Sequence, residues 1–395
     1  MKLYLLASVI GSLITSPLVS AKSSTSIILS ALHHGATSTS VTSYGALCNG
    51  AHDDTTAFQN AFNALQGTGN VLTVPNGTCM INATANGHYG PYIDGAMTLS
   101  LSSGTILQAI TNSADNYAVL LVDGPGVIVT GGTINGDRTT HTGTTGESGY
   151  GIYLSQATNT IIQSITISNC WGDGIYISGP SSGTTINNIV INSNRRQGIS
   201  LVDASNILIE NSTIENGTGY SSGAGNGLDI EPNSGENVTT VTIRNNTFTG
   251  NTGGGFSSGV GNANIGLATV SGIIFDSNNV HNNGLNPPSG SCCGGGVLIS
   301  NSDGHQITNN TITANTGEGI WLDGGATHTN VYHNTITNQT GPAGWGDGIY
   351  IDTSSNSTIT NNTVTGNSGH GIDVVPADPT VIQSGNTVSG NGLTP

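Results

Sequence analysis

Between residues 148 and 375, aliphatic side chains return at every second position behind a recurring glycine, with small polar residues between them. The segments read SGYGIYLS (148–155), GDGIYIS (172–178), RQGISLV (196–202), GNGLDIE (225–231), GGGFSSG (253–259), GGGVLIS (294–300), GEGIWLD (317–323), GDGIYID (346–352) and GHGIDVV (369–375). The shared glycines are Gly151, Gly174, Gly198, Gly227, Gly255, Gly296, Gly319, Gly348 and Gly371, most of them 23 to 29 residues apart and one pair 41 apart. Alternation with period two predicts short, half-buried strands. Ahead of many of these glycines runs a second short strand ending in Asn, as in ITISN (165–169), IVINSN (189–194), TFTGN (247–251), TITAN (311–315) and TVTGN (363–367).

Such a unit cannot bury its own apolar face. Stacking one unit on the next sets Ile175 and Ile177 against Ile199 and Leu201, then against Leu228 and Ile230. One continuous interior results, as in a parallel β-helix. Asparagines in the turns can stack as ladders that satisfy their amides. A propeller would want longer units of about 40 to 50 residues. Four units carry insertions at one corner, at 136–149, 217–225, 284–294 and 339–346. Loops that recur at one corner project from one side and commonly form a binding face.

Composition narrows the class. The 395 residues include 59 Gly, 22 Asp plus Glu and only 6 Lys plus Arg, with 7% charged and 35% hydrophobic residues. No long apolar run follows residue 21, which excludes multi-span membrane folds. Abundant glycine argues against helical solenoids, and a formal charge of −16 against binding nucleic acid through phosphates. Lys2, the apolar stretch 3–14 and Val19-Ser20-Ala21 read as a secretory signal over residues 1–21. The expected protein is therefore secreted, extracellular or (in a Gram-negative source) periplasmic, and monomeric, with no membrane contact after cleavage. Residues 22–40 read as a linker and 41–395 as one β-helix domain. Of five cysteines, Cys48 and Cys79 can pair, and the odd count leaves a thiol over.

Residues 41–82 form a distinct N-terminal cap module. Asp53 or Asp54 would cap a helix whose stripe Ala57, Phe58, Ala61, Phe62 and Leu65 covers the open end of the solenoid. The stretch YGA…DDTTAFQNAF…VLTVPNGT resembles the pectate-lyase superfamily, in the branch of rhamnogalacturonases, tailspike-like proteins and polyuronate epimerases. The resemblance implies an all-β, right-handed parallel β-helix acting on polysaccharide, without identifying the reaction.

Two outward columns follow from the repeat. Two residues after each aligned glycine stand Tyr153, Tyr176, Ser200, Asp229, Ser257, Leu298, Trp321, Tyr350 and Asp373; four residues after stand, among others, Ser178, Glu231, Ser300, Asp323 and Asp352. Aromatic rings can cover the apolar faces of sugars, which makes Tyr153 and Tyr176 candidate substrate-binding residues, while Trp321 and Tyr350 read as ordinary cross-strand stacking. Asp229 and Glu231 should share one exposed face with Cα atoms roughly 6.5–7 Å apart, and such a pair can act as general acid and base in glycoside hydrolysis. Arg196 and Asp173 complete the expected catalytic set. Arg195, Asp203, Asn226 and Trp171 join the two tyrosines as expected substrate-binding residues. Only five basic residues follow the signal, so the adjacent Arg195 and Arg196 beside this pair stand out. Asp347 and Asp352 with Trp345 form a weaker second candidate; His370 and Asp373 read as an ordinary terminal coil.

The departures from the resembled families matter. Polygalacturonase-like hydrolases carry a tandem Asp pair where this chain has Arg195-Arg196-Gln197. Alginate epimerases carry a Gly-aromatic-Asp-x-His pattern, which this chain matches only at Gly227 and Asp229, with Glu231 in place of the His. The expected activity is glycoside hydrolysis. The alternatives are a lyase or C5-epimerase on a polyuronate, with Arg196 as base, or a non-catalytic glycan-binding or surface protein. No cofactor follows outright; Ca²⁺ on Asp173, Asp203 and Asp229 is the candidate, since it takes six to eight oxygens.

Overall fold

The computed structural model describes residues 36–220, 225–285, 295–342 and 345–393. The leader, the linker up to residue 35, Cys292, Cys293 and most of the 284–294 insertion lie outside the described residues. Among the described residues the chain winds through three parallel sheets of 14, 13 and 11 strands. Each coil contributes one strand to each sheet in turn. Thr185–Asn187, Val190–Asn192 and Ile199–Leu201 form one coil, and Ala204–Glu210, Thr213–Glu215 and Leu228–Ile230 the next. The glycine-led segments make the 11-stranded sheet and the Asn-ending segments the 13-stranded one. The 14-stranded sheet, with strands such as Ile161–Gln163 and Thr358–Thr360, has no equally regular sequence mark.

Register follows the repeat. Ile175 pairs with Ile199 and Ile177 with Leu201, which then pair with Leu228 and Ile230, all of them buried. The aligned glycines stack backbone on backbone. A Cβ on Gly198 would lie 2.4 Å from the Gly227 carbonyl oxygen, one on Gly227 2.5 Å from that of Gly255, and one on Gly319 2.5 Å from that of Gly348. None of these positions needs a left-handed backbone; close approach alone selects glycine.

The corners are held by buried amides. Asn246, Asn278, Asn310, Asn334, Asn362 and Asn386 form one file, each Nδ2 donating to the next Oδ1 at 2.9–3.2 Å. A second file runs through Asn251, Asn283, Asn315 and Gln339 to Asn367 and Asn391. Each amide also satisfies a backbone carbonyl, as Asn310 does for Phe275 at 2.9 Å. These amides, at 0–2% exposure save for the half-buried terminal Asn386 and Asn391, thus find the partners that burial requires.

At the N-terminal end, the helix Thr55–Leu65 lays Ala57, Phe58, Ala61, Phe62 and Leu65 into the core, as the stripe predicts. The two aspartates share the start of the helix, as expected, but divide the work. Asp54 stands at the N-cap without a side-chain bond to the helix, because its carboxylate accepts from Leu47 N (2.8 Å) and Cys48 N (3.1 Å) and so ties down the preceding loop. Asp53 accepts from Thr55 N at 3.0 Å. Cys48 and Cys79 are joined in a disulfide, and Cys170 is a buried free thiol. Ser38–Ser40, expected as linker, instead pairs with Val71–Thr73 as the first strand of the solenoid.

Two substitutions test this framework. Asn310→Ala strands a carbonyl and an amide in the interior and should cost about 1–3 kcal/mol. Gly319→Ala overpacks two adjacent backbones and should cost a similar amount. Thermal melts of both should fall by several degrees, and an unchanged melt for either removes that contact from the account.

Candidate functional site

The 11-stranded sheet carries the predicted outward column in unbroken register: Tyr153, Tyr176, Ser200, Asp229, Ser257, Leu298, Trp321, Tyr350 and Asp373 pair in that order. Its centre is not open, however. Asp229, expected on an exposed face, is 7% exposed, and Ser200 is fully buried. Arg196 lies against Ser200, and Gln197 and Asn226 against Asp229, while two corner insertions meet beside them. Glu147 of the first hydrogen-bonds the Tyr220 hydroxyl of the second, and Arg138 Nη1 donates to Thr218 Oγ1 at 3.4 Å.

Arg196 sits at the middle of the cluster. Its Nη1 donates to Asp173 Oδ2 at 2.8 Å, its Nη2 to Glu231 Oε1, and its Nε lies 3.7 Å from Glu147. Gln197, from the same corner, donates through Nε2 to Asp229 Oδ2 at 2.8 Å and through its backbone N–H to Asp173 Oδ1 at 2.9 Å. Asn226 Nδ2 lies 3.3 Å from the same Asp229 oxygen. Asp173, Asp229, Glu231, Arg196 and Asn226 therefore come together. Gln197 and Glu147, which sequence reasoning did not single out, complete the group; their signals were a place beside the two arginines and a place in an insertion.

Burial raises the carboxyl of Asp173, with Arg196 opposing. Burial likewise raises that of Asp229, again against Arg196. Burial and then the neighbouring Asp229 push Glu231 up to about 8, with Arg196 opposing. For Arg196 itself, burial works to lower the pKa, but Asp173, Glu231 and Asp229 outweigh it and the guanidinium is held charged. Three carboxyls around one cation cannot all ionise freely, so the cluster retains a proton near neutrality. Glu231 is the member that solvent reaches, its side chain being 37% exposed while that of Asp173 is fully buried.

The other expected residues divide. Tyr150 stacks on Tyr176 at 4.4 Å, Tyr176 meets Tyr153 edge-on at 5.4 Å, and Tyr153 meets Tyr89 at 5.7 Å. These rings form an aromatic flank one rung from the cluster. Arg195 and Trp171 go elsewhere. The Arg195 guanidinium lies 3.8 Å from the Trp171 ring and 4.8 Å from that of Tyr220, while His141 stacks on Trp171 at 4.1 Å. Arg195 Nη1 also donates to the carbonyls of Gly146 (2.9 Å) and Trp171 (3.2 Å). This pile of planar groups braces the two insertions. His141 is oriented by Asp137, 3.1 Å from its Nδ1, four residues earlier in the chain. Asp203 is not drawn into the cluster; its Oδ1 accepts from Asn237 N at 3.3 Å.

Asp173, Asp203 and Asp229 were the candidate ligands for Ca²⁺ under the lyase or epimerase alternative. Among the described residues, the donor atoms that converge to within 4.8 Å of one another are instead those of Asp347, His370 and Asp373, and those of Cys48, Asp54 and Cys79, whose thiols are joined in the disulfide.

Comparison with known proteins agrees with the architecture. A family model described as right handed beta helix region matches residues 92–266 and 258–394. The uncharacterized protein YclG of Bacillus subtilis (strain 168) is 30% identical over 207 residues, covering 45% of this chain and 35% of that protein. The chain spans about a third of the length of the curated relatives it matches. Among solved structures, the A-module of mannuronan C-5 epimerase AlgE6 from Azotobacter vinelandii superposes with a TM-score of 0.65 at 19% identity, covering 89% of this chain and 99% of that one. The Streptococcus pneumoniae surface adhesin PfbA superposes with a TM-score of 0.60 at 15% identity, covering 90% of each chain. At such identities the likeness is one of fold, and an epimerase and an adhesin share it.

The electrostatics yield a stability prediction. Arg196→Leu leaves Asp173 buried without its partner and should cost roughly 3 kcal/mol at neutral pH. The cost should shrink as pH falls and the carboxyl takes up a proton. In the native protein, Glu231 has a folded pKa above its unfolded value, so its contribution is fullest in acid and is lost as pH rises toward about 8. Glu231→Gln should flatten that part of the stability–pH curve, as read from denaturant melts between pH 4 and 9.

Proposed function

The chain belongs to the right-handed β-helix family, and from that premise we propose that it is an exported, polysaccharide-active enzyme that hydrolyses glycosidic bonds. The observation that carries the reading is the unequal pair Asp229 and Glu231 around Arg196. Glu231 retains its proton near neutrality and is reachable, which suits a general acid donating to the departing glycosidic oxygen. Asp229, with Oδ2 held by Gln197 and Asn226, suits the partner carboxylate that attacks the anomeric carbon or activates water. Arg196 and Asp173 are positioning groups in this scheme. The guanidinium orients Glu231 and offsets the negative charge of its neighbours. Pairs of acids set apart by their surroundings are how one site runs acid and base chemistry together.

Elimination or epimerisation with Arg196 as base is less well supported. Its surrounding carboxylates hold the guanidinium charged, whereas a base must present a free lone pair. Export is supported by the leader at residues 1–21.

The assignment predicts that Glu231→Gln and Asp229→Asn each reduce polysaccharide hydrolysis by about 10²–10⁴-fold, measured as new reducing ends. Native activity should decline as pH rises past about 8, where the acid loses its proton. An unsaturated product, absorbing in the ultraviolet through a C=C conjugated to its carboxylate, would indicate elimination instead. Unchanged turnover in both variants would remove the pair from catalysis, and glycan binding without turnover by the native protein would leave a binding protein as the reading.

A further inference from the structure

Three rungs beyond Asp229, the same column reaches Trp321 and then Tyr350. At the usual strand spacing this is roughly 14 Å along the solenoid. Ser257 and Leu298 fill the interval. The face thus runs from one aromatic flank across an acidic centre to a second aromatic group. We propose that Trp345, Trp321 and Tyr350 form a separate sugar-binding platform, for a pyranose chain that carries no negative charge. The proposal rests on the glycan-binding reading of this face, though not on the acid–base chemistry.

Three observations carry it. First, Trp345 is 40% exposed in the 339–346 insertion, yet it is held in place. Its N–H donates to Pro342 O at 2.9 Å, its carbonyl lies 3.4 Å from Ser368 Oγ, and its ring meets Trp321 edge-on at 5.8 Å. Trp321 in turn lies 5.8 Å from Tyr350. A fixed, exposed indole beside a phenol is an amphipathic surface of the kind that ligand sites use.

Second, Trp321 is only 9% exposed, and its Nε1–H is buried with no acceptor among the described residues. It lines a small cavity of about 10 Å³ with Glu318, Ser257 and Leu298. An unpaired buried donor costs free energy until a partner arrives, and a sugar hydroxyl supplies one. Glu318, whose Oε2 accepts from Gly346 N at 3.0 Å, fixes the adjoining insertion and adds a carboxyl to the same wall.

Third, the charge of this region selects among glycans. After Arg244 the chain contains eight Asp and Glu and no Lys or Arg. Glu318, Asp323, Asp347, Asp352 and Asp373 all belong to the coils around the platform, and His370 lies between Asp347 and Asp373 at 3.3 and 3.5 Å. A uronate chain would bring its carboxylates among like charges with no Lys or Arg to receive them. A neutral pyranose presents C–H faces to the rings and hydroxyls to the carboxylates.

Two of the three tryptophans of the chain lie in this platform, so intrinsic fluorescence reports on it. The purified protein is titrated with hexamers of glucose, xylose, mannose, galactose and N-acetylglucosamine, and with oligogalacturonate. At least one neutral hexamer should shift the emission and bind, and Trp345→Ala should weaken that binding tenfold or more with an unchanged melting temperature. Glu231→Gln should retain the binding whether or not it turns substrate over, which separates the platform from the catalytic assignment. The proposal is overturned if no neutral hexamer binds, if Trp345→Ala binds as the native protein does, or if oligogalacturonate binds more tightly than every neutral hexamer.

Discussion

A single coil of this protein has no interior of its own. Its three short strands enclose an apolar edge only once another coil lies above and below, so in-register stacking is the constraint behind everything else. The glycine column shows how closely that constraint binds. Where Gly198 meets Gly227, and Gly319 meets Gly348, one backbone lies against the next with no room for a Cβ. The asparagine files do the complementary work at the corners, where turning the chain would otherwise leave carbonyls and amides buried without partners.

Stacking also explains why chemistry can collect on one face. Each outward residue of the 11-stranded sheet stands over the corresponding residue of the preceding coil, so groups 20 to 30 places apart in the chain become neighbours. The insertions then convert part of that ladder into an enclosed site. Glu147, held by the Tyr220 hydroxyl, lies beside Arg196, and burial there shifts the carboxyls of Asp173, Asp229 and Glu231. In a chain so poor in basic residues, burial raises all three acids and a single guanidinium opposes it.

Much of this was legible beforehand because it follows from periodicity. The alternation identifies which side chains face inward, and the glycine spacing aligns Tyr153, Tyr176, Asp229, Trp321 and Tyr350 in the order that the register shows. The cap helix was legible through its stripe of Ala and Phe. The 14-stranded sheet was harder to see, because its short strands lack a regular glycine or terminal asparagine. Trp171 and Arg195 sit beside the cluster in sequence, but they spend their ring face and guanidinium on each other. Asp203 is close in sequence as well, yet it turns toward Asn237.

Sequence by itself determined the solenoid, the columns and the identity of the residues that crowd one face, because a repeat that cannot bury its own edge has essentially one way to do so. Only the tertiary structure decided which of those residues are enclosed and which pair with which. Burial of Asp229, partial exposure of Glu231 and capture of Arg196 between Asp173 and Glu231 depend on where two insertions come to rest. Loop placement is governed by contacts between distant segments, such as Glu147 with Tyr220, and no local pattern encodes those.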